Sequence, residues 1–275
     1  MGTISIPEPL PSPIEDSEKL RKAVQGWGTD ENAIIEVLGH RNSSQCIKIC
    51  QTYQEKYKES LIDRLNSELS GDFRKAVKLW IWDPPQRDAR LANEAILVTI
   101  IEIACASCPQ HLMAVRQAYC SIFKTSLEED IITKLLVGLA SSYRYDRKRL
   151  EDNVARSEAA KLHNAIILRI LSTRNKSQLK LTFSFYKQDY GNPIDELEML
   201  LQRTVWCIAS PEKHFAEVVR TSIVGLGTDE DSLTRAIISR AEIDMKKIIE
   251  EYYQIGLVVG DTSGYYKAFL LALLG

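Results

Sequence analysis

The chain carries one string twice. Residues 20–41 read LRKAVQGWGTDENAIIEVLGHR, and residues 219–240 read VRTSIVGLGTDEDSLTRAIISR, 199 positions later. Gly26, Gly28, Thr29, Asp30, Glu31 and Arg41 recur as Gly225, Gly227, Thr228, Asp229, Glu230 and Arg240. Apolar positions recur too, Ile34 with Leu233 and Leu38 with Ile237. Such a repeat confines the chain to a modular fold, and a repeated loop inside it implies a repeated site. Looser copies lie between. A shift of 66 sets Ile34, Ile35, Glu36 and Val37 on Ile100, Ile101, Glu102 and Ile103, and a shift of 133 sets Arg41 on Arg174 and Tyr53 on Tyr186. Four units of roughly 60–70 residues result.

The pattern within a unit is helical. Residues 4–13 hold Pro7, Pro9, Pro11 and Pro13 and read as an extended tail. Beyond it, Ile34, Ile35, Leu38 and then Ile47, Ile49, Cys50 and Tyr53 follow 3- and 4-residue spacing. Breaks fall at Asn42-Ser43-Ser44, Asp83-Pro84-Pro85, Ser210-Pro211 and Gly260-Asp261. Alternating apolar runs of strand type are almost absent, so the expected class is all-α, with short helices.

A net charge of −2 argues against a broad nucleic-acid surface, which needs a concentrated positive field. It does not argue against a membrane surface, because a bound cation can supply positive charge. No run of about 18 apolar residues is present, so nothing is expected to span a bilayer. The first residues lack the basic start and apolar run of a secretory signal, which predicts a cytoplasmic protein. Its six cysteines are then read as reduced thiols, and the one C-x-x-C, at Cys105–Cys108, has no second pair to make a zinc site.

The repeated loop has two readings. In one, Gly26-Trp27-Gly28-Thr29-Asp30-Glu31 is a tight turn, with Thr29 as N-cap and two acids in the first helical turn. In the other it is a cation site. The turn presents an apolar tip, Trp27 in one copy and Leu226 in the other. Trp suits a membrane interface better than a core when it sits between two glycines. A Gly-x-Gly turn can also aim backbone carbonyls at one point, and a hard cation takes oxygen ligands. Carboxylates follow at a distance, Glu68 and Asp261.

G-x-G-T-[DE] followed about 40 positions later by a carboxylate resembles the type II calcium site of the annexins, and the four units resemble their repeats. Trp82-Asp83-Pro84-Pro85, Leu91-Ala92-Asn93-Glu94-Ala95, Ser142-Tyr143-Arg144-Tyr145 and Arg240-Ala241-Glu242-Ile243-Asp244 look specifically like plant annexins. The resemblance implies four repeats of about five short helices forming a curved disc, at 16–81, 82–153, 154–210 and 211–275, after a Pro-rich tail at 1–15. It implies calcium as cofactor, anionic phospholipid as partner, and a cytoplasmic protein that becomes peripheral at membranes when calcium is raised. Carried over, the first site uses the carbonyls of Val24, Gly26 and Gly28 with the Glu68 side chain. The fourth uses Ile223, Gly225 and Gly227 with Asp261, and Trp27 and Leu226 touch the membrane. Actin is a further partner credited to the family, through an Ile-Arg-Ile that here reads Leu168-Arg169-Ile170.

The chain departs from the family pattern in places. Ala92 and Glu94 stand where the first unit has Gly26 and Gly28, so no calcium is expected there. Repeats 2–4 are shortened, and Gly227 to Asp261 is 34 residues where Gly28 to Glu68 is 40. The first site is therefore expected to be the more secure. His40, Cys105 and Cys207 fall at positions connected with redox activity in similar plant proteins. A haem or thiol peroxidase is thus one alternative, against small-residue packing for the cysteines and a helix-ending role for His40. A calcium-independent helical scaffold is the other. No nucleotide loop is present, and no enzymatic activity is expected.

Overall fold

A computed structural model describes residues 2–26, 28–94, 97–131, 199–223, 227–252 and 262–275. Every regular element among them is an α-helix, as the apolar spacing requires. The expected shortened stretches of repeats 2 and 3 and the Leu168-Arg169-Ile170 triplet lie outside the described residues. Contacts divide the chain into two compact units, one of Met1–Arg87 with Glu212–Gly275, the other of Asp88–Pro211. The first and fourth repeats therefore share a unit.

The first repeat contributes α1 (Pro13–Ala23), α2 (Glu31–Leu38), α3 (Ser43–Tyr57), α4 (Leu61–Glu68) and α5 (Gly71–Ile81). Local chemistry starts each of the first four. Ser12 and Glu15 form a reciprocal capping box, and Pro13 sits at the first helical position, where its missing N–H costs nothing. The proline run therefore ends inside a helix, three residues before the expected edge of the tail. Asn42 and Gln45 form a second capping box at α3. Ser60 caps α4. The expected cap of α2, Thr29, is displaced by one: the Asp30 side chain accepts from Ala33 N at 3.0 Å. The second unit contributes α6 (Pro84–Glu94), which starts at Pro84 in the first unit's last residues, with α7 (Leu97–Ala106), α8 (Pro109–Phe123) and α9 (Met199–Ala209). The fourth repeat adds α10 (Pro211–Ile223), α11 (Glu230–Arg240), α12 (Met245–Glu251) and α13 (Gly264–Leu274).

In the first unit α5 is central, packed on α2, α3, α4, α11 and α13. Its buried residues Phe73, Ala76, Val77, Trp80 and Ile81 recur at the spacing of one helical face. Phe73 meets Phe269 of α13 edge-on at 5.9 Å between ring centres. Trp80 is fully enclosed, and its ring N–H donates to Leu38 O at 2.8 Å, so no polar atom is stranded. Gly39 ends α2 against α13, where a Cβ would stand 2.7 Å from Ala272 Cβ. Close approach, not flexibility, requires glycine there. The tail is tied down as well: Thr3 N donates to Ala241 O at 3.0 Å and Thr3 Oγ1 to Leu273 O at 2.6 Å.

The repeated arginine has a structural role. Arg41, 3% exposed, makes a two-pronged pair with Asp16, Nε to Oδ2 at 2.7 Å and Nη2 to Oδ1 at 2.8 Å. Arg240 makes the equivalent pair with Asp244, Nε to Oδ1 at 2.8 Å. Breaking such a buried pair strands a charge, at about 3–5 kcal/mol.

The second unit has its own core of Ala89, Ala92, Ile103, Val115, Tyr119 and Leu127. Tyr119 is buried, and its hydroxyl accepts from Asn93 and donates to Asp130 at 2.6 Å. Ala92 is 2% exposed and lies within α6. The second unit thus has a helix where the first has the Gly-x-Gly loop.

Candidate metal centre

The loop joining α1 and α2 begins as α1 runs out at Ala23. Val24 N still bonds back to Leu20 O at 3.2 Å, and the chain then turns. Gly26 and Gly28 take φ of +109° and +87°. These are conformations that L side chains rarely adopt. Both glycines are exposed, and a Cβ on either would touch nothing within 4 Å. The backbone alone therefore calls for glycine here. Asp30 N closes the loop onto Ala23 O at 2.8 Å. In the fourth repeat Asp229 N closes onto Ser222 O at 2.7 Å, Asp229 caps α11 through Ser232 N, and Gly227 has φ of +101°. The two copies share their closing bond, their cap and their second glycine.

Two of the expected ligands of the first site converge. Arg64 Nη2 donates to Val24 O at 2.8 Å and lies 3.0 Å from Glu68 Oε1. A carbonyl at the end of α1 and a carboxylate at the end of α4 are thus brought to one positively charged nitrogen. On the far side, Glu59 Oε1 lies 3.9 Å from Arg64 Nη1, and Glu59 is also paired with Arg21. Arg21 donates to the Tyr53 hydroxyl at 3.1 Å, and Tyr53 and then Glu59 hold its guanidinium above its ordinary range.

Glu68 also opens onto a groove of about 310 Å³ whose walls include Glu31, Asp72, Glu230 and Tyr265. Lys75 offsets some of that charge, at 2.8 Å from Asp231 and 3.6 Å from Asp72. A concave surface lined by one sign of charge concentrates cations. Oxygen donors from backbone and carboxylate suit a hard divalent ion rather than a soft one. Among the described residues no three His, Cys, Asp or Glu side chains cluster as metal ligands.

The remaining expected residues are placed as follows. Ile223 is the last residue of α10. Trp27, Gly225, Leu226 and Asp261 lie outside the described residues. His40 follows α2, its Nδ1 2.9 Å from Ser5 O, and so holds the tail. Cys105 is half-buried on α7 and Cys207 buried on α9, two helices packed on each other, and none of the six cysteines is in a disulfide. Arg64 was missed in the sequence, although it stands one helical turn before Glu68.

The family model for annexins matches residues 15–80, 97–135 and 214–273. The chain belongs to the annexin family. It is 49% identical to Annexin D3 of Arabidopsis thaliana, across 100% of this chain and 99% of that one. The match runs over 318 residues where this chain has 275, so the relative carries internal stretches that this annexin lacks. Annexin-like protein RJ4 of Fragaria ananassa is 46% identical across 95% of both chains. Among solved structures, chicken annexin V superposes with a TM-score of 0.82 at 30% identity, covering 100% of this chain and 98% of that one. A calcium-bound annexin (Sm)1 superposes at 0.77 with 29% identity, covering 100% and 93%. Annexins are in general calcium-dependent membrane-binding proteins rather than classical enzymes, and membership supports that general activity here. Among the described residues no helix is long and apolar enough to cross a membrane.

Proposed function

We propose that this annexin binds anionic phospholipid surfaces through calcium held in two loops. In the first loop the ligands are the carbonyls of Val24, Gly26 and Gly28 and the carboxylate of Glu68. In the second they are the carbonyls of Ile223, Gly225 and Gly227 and the carboxylate of Asp261. The observation that carries the reading is the convergence of Val24 O and Glu68 Oε1 on one cationic nitrogen, at 2.8 and 3.0 Å. Two groups that meet around a guanidinium are already placed to meet around an ion of like sign.

Protein ligands of this kind leave part of a calcium ion's 6–8 coordination open, and lipid phosphate oxygens complete it. Calcium affinity and membrane affinity then raise each other by the same factor. Trp27 and Leu226, at the tips between glycines, enter the headgroup region beside the bridged phosphates.

Sedimentation with vesicles of phosphatidylserine and phosphatidylcholine tests this. The protein should pellet with calcium and stay in the supernatant with chelator. Glu68→Gln and Asp261→Asn should each raise the calcium needed, and the double variant should not pellet. Undiminished pelleting of the double variant would refute the ligand assignment.

A further inference from the structure

Arg64 stands where a cation held by Val24 and Glu68 would stand. We propose that its guanidinium is a built-in rival of calcium in the first loop: it bridges Val24 O and Glu68, and it must leave both before the ion can be held. The inference rests on the reading of Val24, Gly26, Gly28 and Glu68 as ligands.

Three observations support a movable arginine rather than a fixed brace. Its bridging pose is imperfect, because Arg64 Nε is buried with no hydrogen-bond partner. An unmet donor raises the energy of the pose it belongs to. A second acceptor is also in place: Glu59 Oε1 lies 3.9 Å from Nη1, and Arg21 with Tyr53 fixes that carboxylate. Finally, the Arg64 side chain is 33% exposed, so it can change rotamer from the surface of α4 while the helix stays formed.

A guanidinium and a divalent cation repel at this range, so the two occupants exclude each other. Arg64 therefore sets the calcium threshold of the first loop above what its ligands alone would give. The residue four places before Asp261 is Leu257, so the fourth repeat has no arginine at that position. The rivalry belongs to the first loop.

The test uses the full chain and a local probe. Calcium is titrated directly, and the fluorescence change of Trp27, flanked by Gly26 and Gly28 and taken as the difference from a Trp27→Phe chain, reads the first loop. Arg64→Gln should lower the half-saturating calcium concentration about five- to tenfold, as expected for removing one partly exposed charge-assisted contact together with its repulsion. Arg64→Lys, which keeps the charge but loses the planar fork, should shift it less and in the same direction. Glu59→Gln should raise it about two- to threefold by removing the acceptor to which the guanidinium withdraws. An arginine that merely braces α4 against the loop gives the opposite sign. Weaker calcium binding in Arg64→Gln, or no shift, overturns the proposal if Glu68→Gln still raises the calcium requirement. No effect of Glu68→Gln overturns the ligand reading and the proposal with it. Thermal unfolding checks that the variant folds, and saturating calcium should raise the midpoint of Arg64→Gln more than that of the unchanged chain.

Discussion

Gly26→Ala isolates what the backbone contributes to calcium binding. Gly26 has φ of +109°, and a Cβ there meets nothing within 4 Å. The substitution therefore brings no steric clash with the rest of the protein, only the intrinsic strain of an L-residue at positive φ, about 1–2 kcal/mol. The loop can relieve that strain without unfolding, because Asp30 N on Ala23 O pins its two ends and confines the change to residues 24–29. Relief means rotating the peptide planes on either side of Gly26, which turns its carbonyl away from the ion. If that carbonyl is a ligand, the strain must be met again whenever calcium binds, and about 1–2 kcal/mol is about a 5- to 30-fold higher calcium requirement. The assay is calcium-titrated sedimentation with phosphatidylserine vesicles, made in an Asp261→Asn background so that the first loop dominates. Thermal unfolding in chelator should stay within a few degrees of the parent. An unchanged calcium midpoint in a folded variant would show that Gly26 supplies no ligand, and that its positive φ serves only the turn.

Three further outcomes separate fold from site. Gly39→Ala is the same chemical change with a different cause: its Cβ would stand 2.7 Å from both Ala272 Cβ and Ile35 O, so stability should fall by about 1–3 kcal/mol in urea unfolding while calcium binding is spared. Arg41→Met leaves Asp16 buried without its partner and should lose about 3–5 kcal/mol, most of it recovered when Asp16→Leu is added. Trp27→Ala should weaken vesicle binding at saturating calcium about 5- to 150-fold, from about 1–3 kcal/mol of interfacial burial, with the unfolding midpoint unchanged; loss of fold instead would make Trp27 a core residue.

The helical class and the repeat were legible because both are written in local periodicity. What was less legible depends on choices made in space. Thr29 and Asp30 are both good caps and adjacent, and sequence alone favoured Thr29. The loop decides for Asp30, whose N–H closes onto Ala23 O while its side chain takes Ala33 N. The repeated arginine was legible as a repeat, but its partners were not. Arg41 finds Asp16, 25 residues back on α1, whereas Arg240 finds Asp244, four residues on. The same buried charge is neutralised from opposite directions along the chain, and no spacing rule covers both.

The candidate site shows the same division. Three of its four expected ligands are backbone carbonyls, so no cluster of metal-binding side chains marks it among the described residues. The glycines mark it instead, because a carbonyl site needs unusual φ and therefore leaves its signature in the residues without side chains. Gly26, Gly28 and Gly227 each take the positive φ that reading requires. Arg64 was not legible by the same logic. An arginine one turn before a glutamate on a short amphipathic helix is an ordinary solvent-facing pair, worth a few tenths of a kcal/mol. Its meaning comes from Val24 O, 40 residues earlier, which the fold brings within 2.8 Å of the same nitrogen. The closing hydrogen bonds of the two loops match, so a difference between their calcium responses has two sources, the shorter spacing from Gly227 to Asp261 and the side chains that face each loop. In the first repeat Arg64 is such a side chain, and it carries the same sign of charge as the ion.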